Sequence, residues 1–214
     1  MMDCGLKCEI PGVAIAWRDV ETPLGVVHLA GFDQKPKHRP IIFEILSKIS
    51  GKAITAEDLE ESKENPRPFF PKLDFDTNWT HSNNYCVLAF GDRGSYGKLW
   101  IGVDLERHSA KRLPLAQRFF STEEAARIKS LTNGAETGNA EKEFFRLWCR
   151  KEAFFKCVGG EFFEGSLRRS MLESPVQLKY TGYPIPVHLV DLNGSDIKAP
   201  MASALCVAVS ESRL

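Results

Sequence analysis

The chain has 214 residues, enough for one large core or two of about a hundred residues each. Twenty-eight lysines plus arginines balance 28 aspartates plus glutamates, so no global field favours nucleic acid or an anionic membrane. No apolar run approaches the ~20 residues that cross a bilayer, and "MMDCGLKCEIPG" lacks the layout of a secretory signal. The six cysteines show no paired CxxC spacing, so free thiols in a reducing cytosol are expected.

In chain order, "VAIAWRDV" (13–20) and "GVVHLAGFD" (25–33) read as strands. "HRPIIFEILSKISG" reads as a helix: Pro40 suits its first turn, Ile41, Ile42, Ile45, Leu46 and Ile49 keep helical spacing, and Gly51 ends it. Residues 52–76 are mixed and punctuated by Pro66, Pro68 and Pro71. "YCVLAFG" reads as a strand after an Asn83-Asn84 turn, and a polar loop follows. In "LWIGVDLE" (99–106), Leu99, Ile101, Val103 and Leu105 take one face of a strand, and Trp100, Gly102, Asp104 and Glu106 take the other. "STEEAARIKSL" reads as a helix with Ser121 as N-cap and Glu124 as its capping-box partner, closed by Asn133-Gly134. A helix over Glu141–Val158 stops at Gly159-Gly160. The strands "PVQLKY", "PVHLVDL" and "ASALCVAV" finish the chain, with an Asn193-Gly194 turn between the last two. The pattern predicts an α+β protein of two lobes, joined near residues 91–100.

Two features carry chemistry. Asp104 and Glu106 project from one strand face, and two like charges side by side favour a bound cation. For an isolated D-x-E, a solvated strand edge is the better explanation. On the 141–158 helix, Phe144, Trp148, Phe155 and Val158 form an apolar stripe, with Lys151 near its middle and Glu152 on its shoulder. A buried carboxylate needs a cation. Either an intrahelical Glu152–Lys156 pair at i,i+4 or a metal or charged ligand would supply it. If Glu152 joins Asp104 and Glu106, three oxygen ligands without histidine or cysteine favour magnesium or manganese, and with it a phosphate-bearing substrate.

"IGVDLE" (101–106) followed by "WCRKEAFFK" (148–156) resembles the paired signature of the 4′-phosphopantetheinyl transferases, G-[VI]-D-x-E and W-[CST]-x-K-E-[AS]-x-x-K. The intervening "RFFSTEE" is similar to the family's R-F-F-[ST]-x-x-E, and "NWTHS" (78–82) to its N-x-[ST]-H-S. Length and this upstream segment match the two-lobed surfactin-type subfamily rather than the short trimeric synthases. The resemblance therefore implies two pseudo-symmetric α+β lobes with the active site between them, in a cytoplasmic monomer. Residues 1–98 would form the lobe for the adenine end of coenzyme A, and residues 99–214 the lobe with the metal and catalytic motifs.

The implied reaction transfers phosphopantetheine from coenzyme A to a serine of an apo acyl or peptidyl carrier protein, releasing 3′,5′-ADP. The resemblance implies Mg²⁺ (or Mn²⁺) ligands at Asp104, Glu106 and Glu152, and phosphate contacts from Lys156 and Lys151. It implies coenzyme A contacts from Asn78, Thr80 and His81, with Arg39 at the 3′-phosphoadenosine end. The base would be Glu152 itself or a water beside Glu106; Glu124 matches a family acid, but its capping box explains it too. Where the family has K-G-K-P, this chain has "NPRP" (65–68), in which Arg67 keeps a charge and Pro66 replaces the glycine. Pro40 offers no hydroxyl after Arg39. Cys149 is expected to pack rather than react, and His28, His38, His108 and His188 have no partner pattern. Two alternatives are a coenzyme A- or carrier-binding protein without transfer, and a magnesium phosphohydrolase, which would not need the lysine motif.

Overall fold

Side-chain alternation builds the first sheet. In the computed structural model, which describes residues 7–33, 38–60, 68–92, 98–132, 137–159, 168–180, 183–192 and 201–210, β1 (Ile15–Thr22) and β2 (Gly25–Asp33) form an antiparallel hairpin. β4 (Tyr85–Asp92) pairs with β2 on one side and with β3 (Phe75–Ser82) on the other, giving the order β1-β2-β4-β3. Asn83 turns the β3–β4 hairpin at φ 55, a left-handed conformation that asparagine tolerates. Helix α1 (His38–Ser50) lies on the outer face, where Ile42, Ile45 and Leu46 pack with Ala30, Phe32, Leu88 and Phe90. Each such large side chain contributes about 1.5–3 kcal/mol by burial.

The second sheet repeats the plan. β5 (Lys98–Arg107) is followed by the short helix α2 (Ala116–Phe119), α3 (Thr122–Thr132) and the long α4 (Thr137–Val158). Then come β6 (Val176–Tyr180), β7 (Tyr183–Leu192) and β8 (Met201–Ser210), in the antiparallel order β5-β8-β7-β6. In both lobes a strand leads through helix to an antiparallel return whose last strand pairs with the first: β2 with β4, β5 with β8. The second return has one strand more, and β1 fills the edge of the first sheet. The fold is thus α+β, with two lobes of related topology.

A third core joins the sheets. Val27 and Leu29 of β2, Val87 and Ala89 of β4, Leu99, Ile101, Val103 and Leu105 of β5, and Leu205 and Val207 of β8 pack together. The alternation expected for 99–106 is therefore present, and the layers run helix, sheet, sheet, helix.

At the rim of this core, β3 and β5 lie side by side and point the same way, joined by side chains. Asp76 Oδ2 accepts from the Ile101 N–H at 2.7 Å, Asn78 Oδ1 from Val103 at 3.2 Å and Ser82 Oγ from Arg107 at 3.2 Å. Each pair is offset by 25 residues, so alternate β3 side chains stand in for a backbone ladder.

Two boundaries differ from expectation. β3 occupies a stretch for which no strand was expected, and α4 starts at Thr137 rather than Glu141. The Asn133-Gly134 and Asn193-Gly194 turns and Gly160 lie outside the described residues. Gly159 ends α4 at φ 87, its N–H bonded to the Phe155 carbonyl.

Candidate active site

β5 and α4 meet at Gly102. A Cβ there would lie 2.0 Å from the Ala153 carbonyl oxygen and 2.5 Å from the Cys157 nitrogen, so only glycine admits the helix this close. The helix answers with small buried residues at four-residue spacing, Cys149, Ala153 and Cys157. Cys149 Sγ reaches the Ala202 carbonyl and Cys157 Sγ the Trp100 carbonyl, both at 3.3 Å. Burial also holds the Cys149 thiol well above its usual range, so this cysteine packs and does not act as a nucleophile.

This close contact sets Glu152 and Lys156 over the face of β5 that carries Asp104 and Glu106. Lys156 Nζ donates to Asp104 Oδ1 at 2.6 Å, to the Val103 carbonyl at 3.3 Å and to Thr80 Oγ1 at 3.3 Å. Thr80 in turn donates to Asp104 Oδ1 at 3.2 Å, so β3, β5 and α4 converge on one carboxylate oxygen. The other oxygen, Asp104 Oδ2, is buried without a hydrogen-bond partner. An orphaned carboxylate oxygen is costly, and it marks an acceptor held for something else. Glu106, on the same strand face, accepts from Arg112 Nη1 at 3.2 Å. Among the described residues, no three acids, cysteines or histidines already converge as a metal cluster.

Burial raises the pKa of Glu152 most, the Asp104 and Glu106 charges raise it further, and Lys156 opposes them. The sign follows directly. A carboxyl whose folded pKa lies above its unfolded value costs stability once ionised, and that cost is relieved as pH falls through the folded pKa. Glu152→Gln should therefore melt at a higher temperature than the parent at neutral pH. The advantage should vanish below the unfolded value of about 4.3. Melting curves across this range check it; a variant less stable at neutral pH would mean that Glu152 is satisfied by a partner in the folded state.

Lys151 goes elsewhere. Its ammonium meets Glu124 Oε2 at 2.8 Å and the Arg169 carbonyl at 2.6 Å, and lies 5.4 Å above the Phe120 ring. Lys151 is 1% exposed and Glu124 0%. Glu124 also accepts from the Ser121 and Met171 N–H groups, completing the expected capping box and adding two ties that the sequence did not announce. The geometry thus turns Lys151 away from Asp104 and into a buried pair linking α3 and α4.

The remaining predicted residues are spread along β3 and α1. The oxygen of the Asn78 carboxamide is taken up in the β3–β5 seam. His81, next after Thr80, stacks on His38 at 4.5 Å between ring centroids. His38 adjoins Arg39 at the start of α1. A pair 43 positions apart leaves no local sequence signal, which is why His38 was not expected here. Arg67 lies outside the described residues.

A family profile, the 4′-phosphopantetheinyl transferase superfamily, matches residues 101–187. Over that segment the chain is similar to this superfamily. It contains Asp104, Glu106, Lys151, Glu152 and Lys156, while Arg39, Thr80 and His81 lie upstream of it. The chain is 34% identical over 100 residues to the 4′-phosphopantetheinyl transferase psf-1 of Bacillus pumilus, covering 46% of this chain and 39% of that protein. It is 30% identical over 91 residues to the 4′-phosphopantetheinyl transferase gsp of Aneurinibacillus migulanus, covering 42% and 34%. With the 4′-phosphopantetheinyl transferase Sfp of Bacillus subtilis (strain 168) it shares 29% over 133 residues, covering 60% and 55%. The chain spans 30% to 55% of the length of the curated relatives it matches.

Proposed function

We propose that this protein is a magnesium-dependent 4′-phosphopantetheinyl transferase. It moves phosphopantetheine from coenzyme A to a serine of an apo acyl or peptidyl carrier protein and releases 3′,5′-ADP. One observation carries the reading: a buried aspartate with a lysine on one oxygen and nothing on the other, beside two further acids.

The donor set fits a hard divalent cation. Asp104 Oδ2 is an available oxygen, and Glu106 and Glu152 would complete the protein's share, with no soft ligand required. Such a cation, when bound, would neutralise diphosphate charge as a Lewis acid. The chain's own residues do the rest. Lys156, anchored by Thr80 and Val103, presents its ammonium to phosphate oxygens on which charge builds as the bond to the leaving nucleotide breaks. Glu152, with its raised pKa, is suited to accept the serine proton while the serine oxygen bonds to the phosphorus carrying pantetheine. The first lobe, residues 1–98, would take the adenine end through Arg39 and His81. The second, residues 99–214, would carry the reacting groups.

We also read it as a cytoplasmic monomer. Cys8, Cys86, Cys149 and Cys157 are free thiols, no described helix is long and apolar enough to cross a membrane, and the balanced charge offers nothing to nucleic acid.

Incubating the protein with coenzyme A, Mg²⁺ and a panel of apo carrier proteins should make one carrier heavier by a phosphopantetheine, seen by intact mass. Coenzyme A binding with no mass gain on any carrier would replace this reading by a binding protein on the same fold.

A further inference from the structure

Glu106 is wanted for the cation, yet a side chain of the same protein already holds it. Among the described residues, two cations pair with the acids of the site: Lys156 with Asp104 at 2.6 Å and Arg112 with Glu106 at 3.2 Å. The two pairs are built differently. Lys156 also donates to Thr80 and to the Val103 carbonyl, and it leaves Asp104 Oδ2 open. Arg112 meets Glu106 through one contact, Nη1 to Oε1, with side chains 43% and 24% exposed. Water and salt compete for both partners of such a pair, so it is worth little. Arg112 is therefore the cation that can leave at small cost. Leaving also keeps its support intact. Arg112 sits in the 3-10 turn Ala110–Leu115, with its N–H on the Ser109 carbonyl at 3.1 Å. Its guanidinium carbon lies 5.9 Å from the centroid of the buried Phe145 ring, a contact that does not involve Glu106.

We propose that Arg112 is a built-in competitor of the divalent cation: it pairs with Glu106 until the cation binds and then releases this carboxylate. The proposal rests on the magnesium site of the reading above. The rival arrangement keeps Arg112 on one oxygen of Glu106 while the cation takes the other, so that Arg112 orients the ligand. Three observations favour release. The contact is single and exposed, the guanidinium has a second seat on Phe145, and Lys156 already brings one positive charge to the site. A divalent ion beside both cations adds like-charge repulsion that the departure of Arg112 relieves. Arg112 thus neutralises the acidic face of β5 and lowers cation affinity. Its loss strengthens cation binding under competition and weakens it under orientation, so the sign decides between the two.

The probe is Mn²⁺, whose free ion is counted by electron paramagnetic resonance, with Mg²⁺ measured by displacement. Parent, Arg112→Gln and Arg112→Lys are titrated with and without coenzyme A. Arg112→Gln should bind Mn²⁺ roughly two- to fivefold tighter at low salt, the scale of one exposed ion pair. The gain should shrink at high ionic strength, which already screens the pair in the parent. Arg112→Lys keeps the charge and should stay near the parent. Added Mn²⁺ should also raise the melting temperature of Arg112→Gln more than that of the parent. Weaker Mn²⁺ binding by Arg112→Gln would make Arg112 an orienting partner of Glu106, and unchanged binding would make the pair incidental. Either result overturns the competition and leaves the transferase reading standing. If the parent binds no Mn²⁺ in either condition, the metal site fails and this proposal fails with it.

Discussion

Lys151→Met should cost about 3–5 kcal/mol of folding stability, because it strands a fully buried carboxylate without its cation. Glu124 cannot escape to solvent: it is fixed by the N–H groups of Ser121 and Met171 and ends at a site with no exposed surface. Denaturant unfolding of parent and variant measures the loss. At low temperature, where the variant remains folded, its affinity for coenzyme A should match the parent's, since Lys151 faces α3 rather than Asp104. A cost of only about 0.2–0.5 kcal/mol would make this an ordinary surface pair. Weakened coenzyme A binding in the folded variant would return Lys151 to the phosphate role that its motif implies.

Lys156→Ala should do the opposite. Single-turnover transfer should fall roughly 100- to 1000-fold, the scale for removing one preorganised donor from developing charge. The melting temperature should drop in the absence of divalent cation, since Asp104 then keeps only the Thr80 hydroxyl, and should recover when Mg²⁺ is added. Lys156→Arg should restore part of the rate, because a planar fork replaces a compact ammonium poorly beside Asp104 Oδ1. A normal rate for Lys156→Ala would remove this lysine from the chemistry. These two lysines stand five positions apart on α4, yet one meets Glu124 and the other Asp104.

Much of this was legible in the sequence. The 99–106 alternation, the α1 spacing, the Ser121–Glu124 box and the glycine stop after α4 are local signals, each set by residues within a turn or two. What was not legible depends on residues far apart. β3 escaped notice because its seam-facing side chains are Asp76, Asn78, Thr80 and Ser82, where strand patterns lead one to expect apolar residues. They are polar because three of them accept neighbouring N–H groups and Thr80 bonds to Asp104 and Lys156. The motif identified the acids and Lys156 of the candidate site. It could not say that Lys151 would find Glu124, 27 positions earlier, or that His38 would find His81. Nor could it separate the two proposals for Glu152, whose i,i+4 partner turns instead to Asp104.

The side-chain ladder of β3 makes β5 dependent on the other lobe. β5 is an edge strand: β8 covers one side, and on the other the N–H groups of Ile101, Val103 and Arg107 are covered only by residues of β3. The family-matched segment 101–187 contains neither covering strand. Cut out alone, it would keep residues 101–107 of β5 with both edges open and an apolar face of Ile101, Val103 and Leu105, a template for pairing with other copies. The stretch that carries the signature is therefore not a unit of folding. Aspartate, asparagine and serine on β3 protect it from self-association, work that neither the signature nor the chemistry at Asp104 reveals.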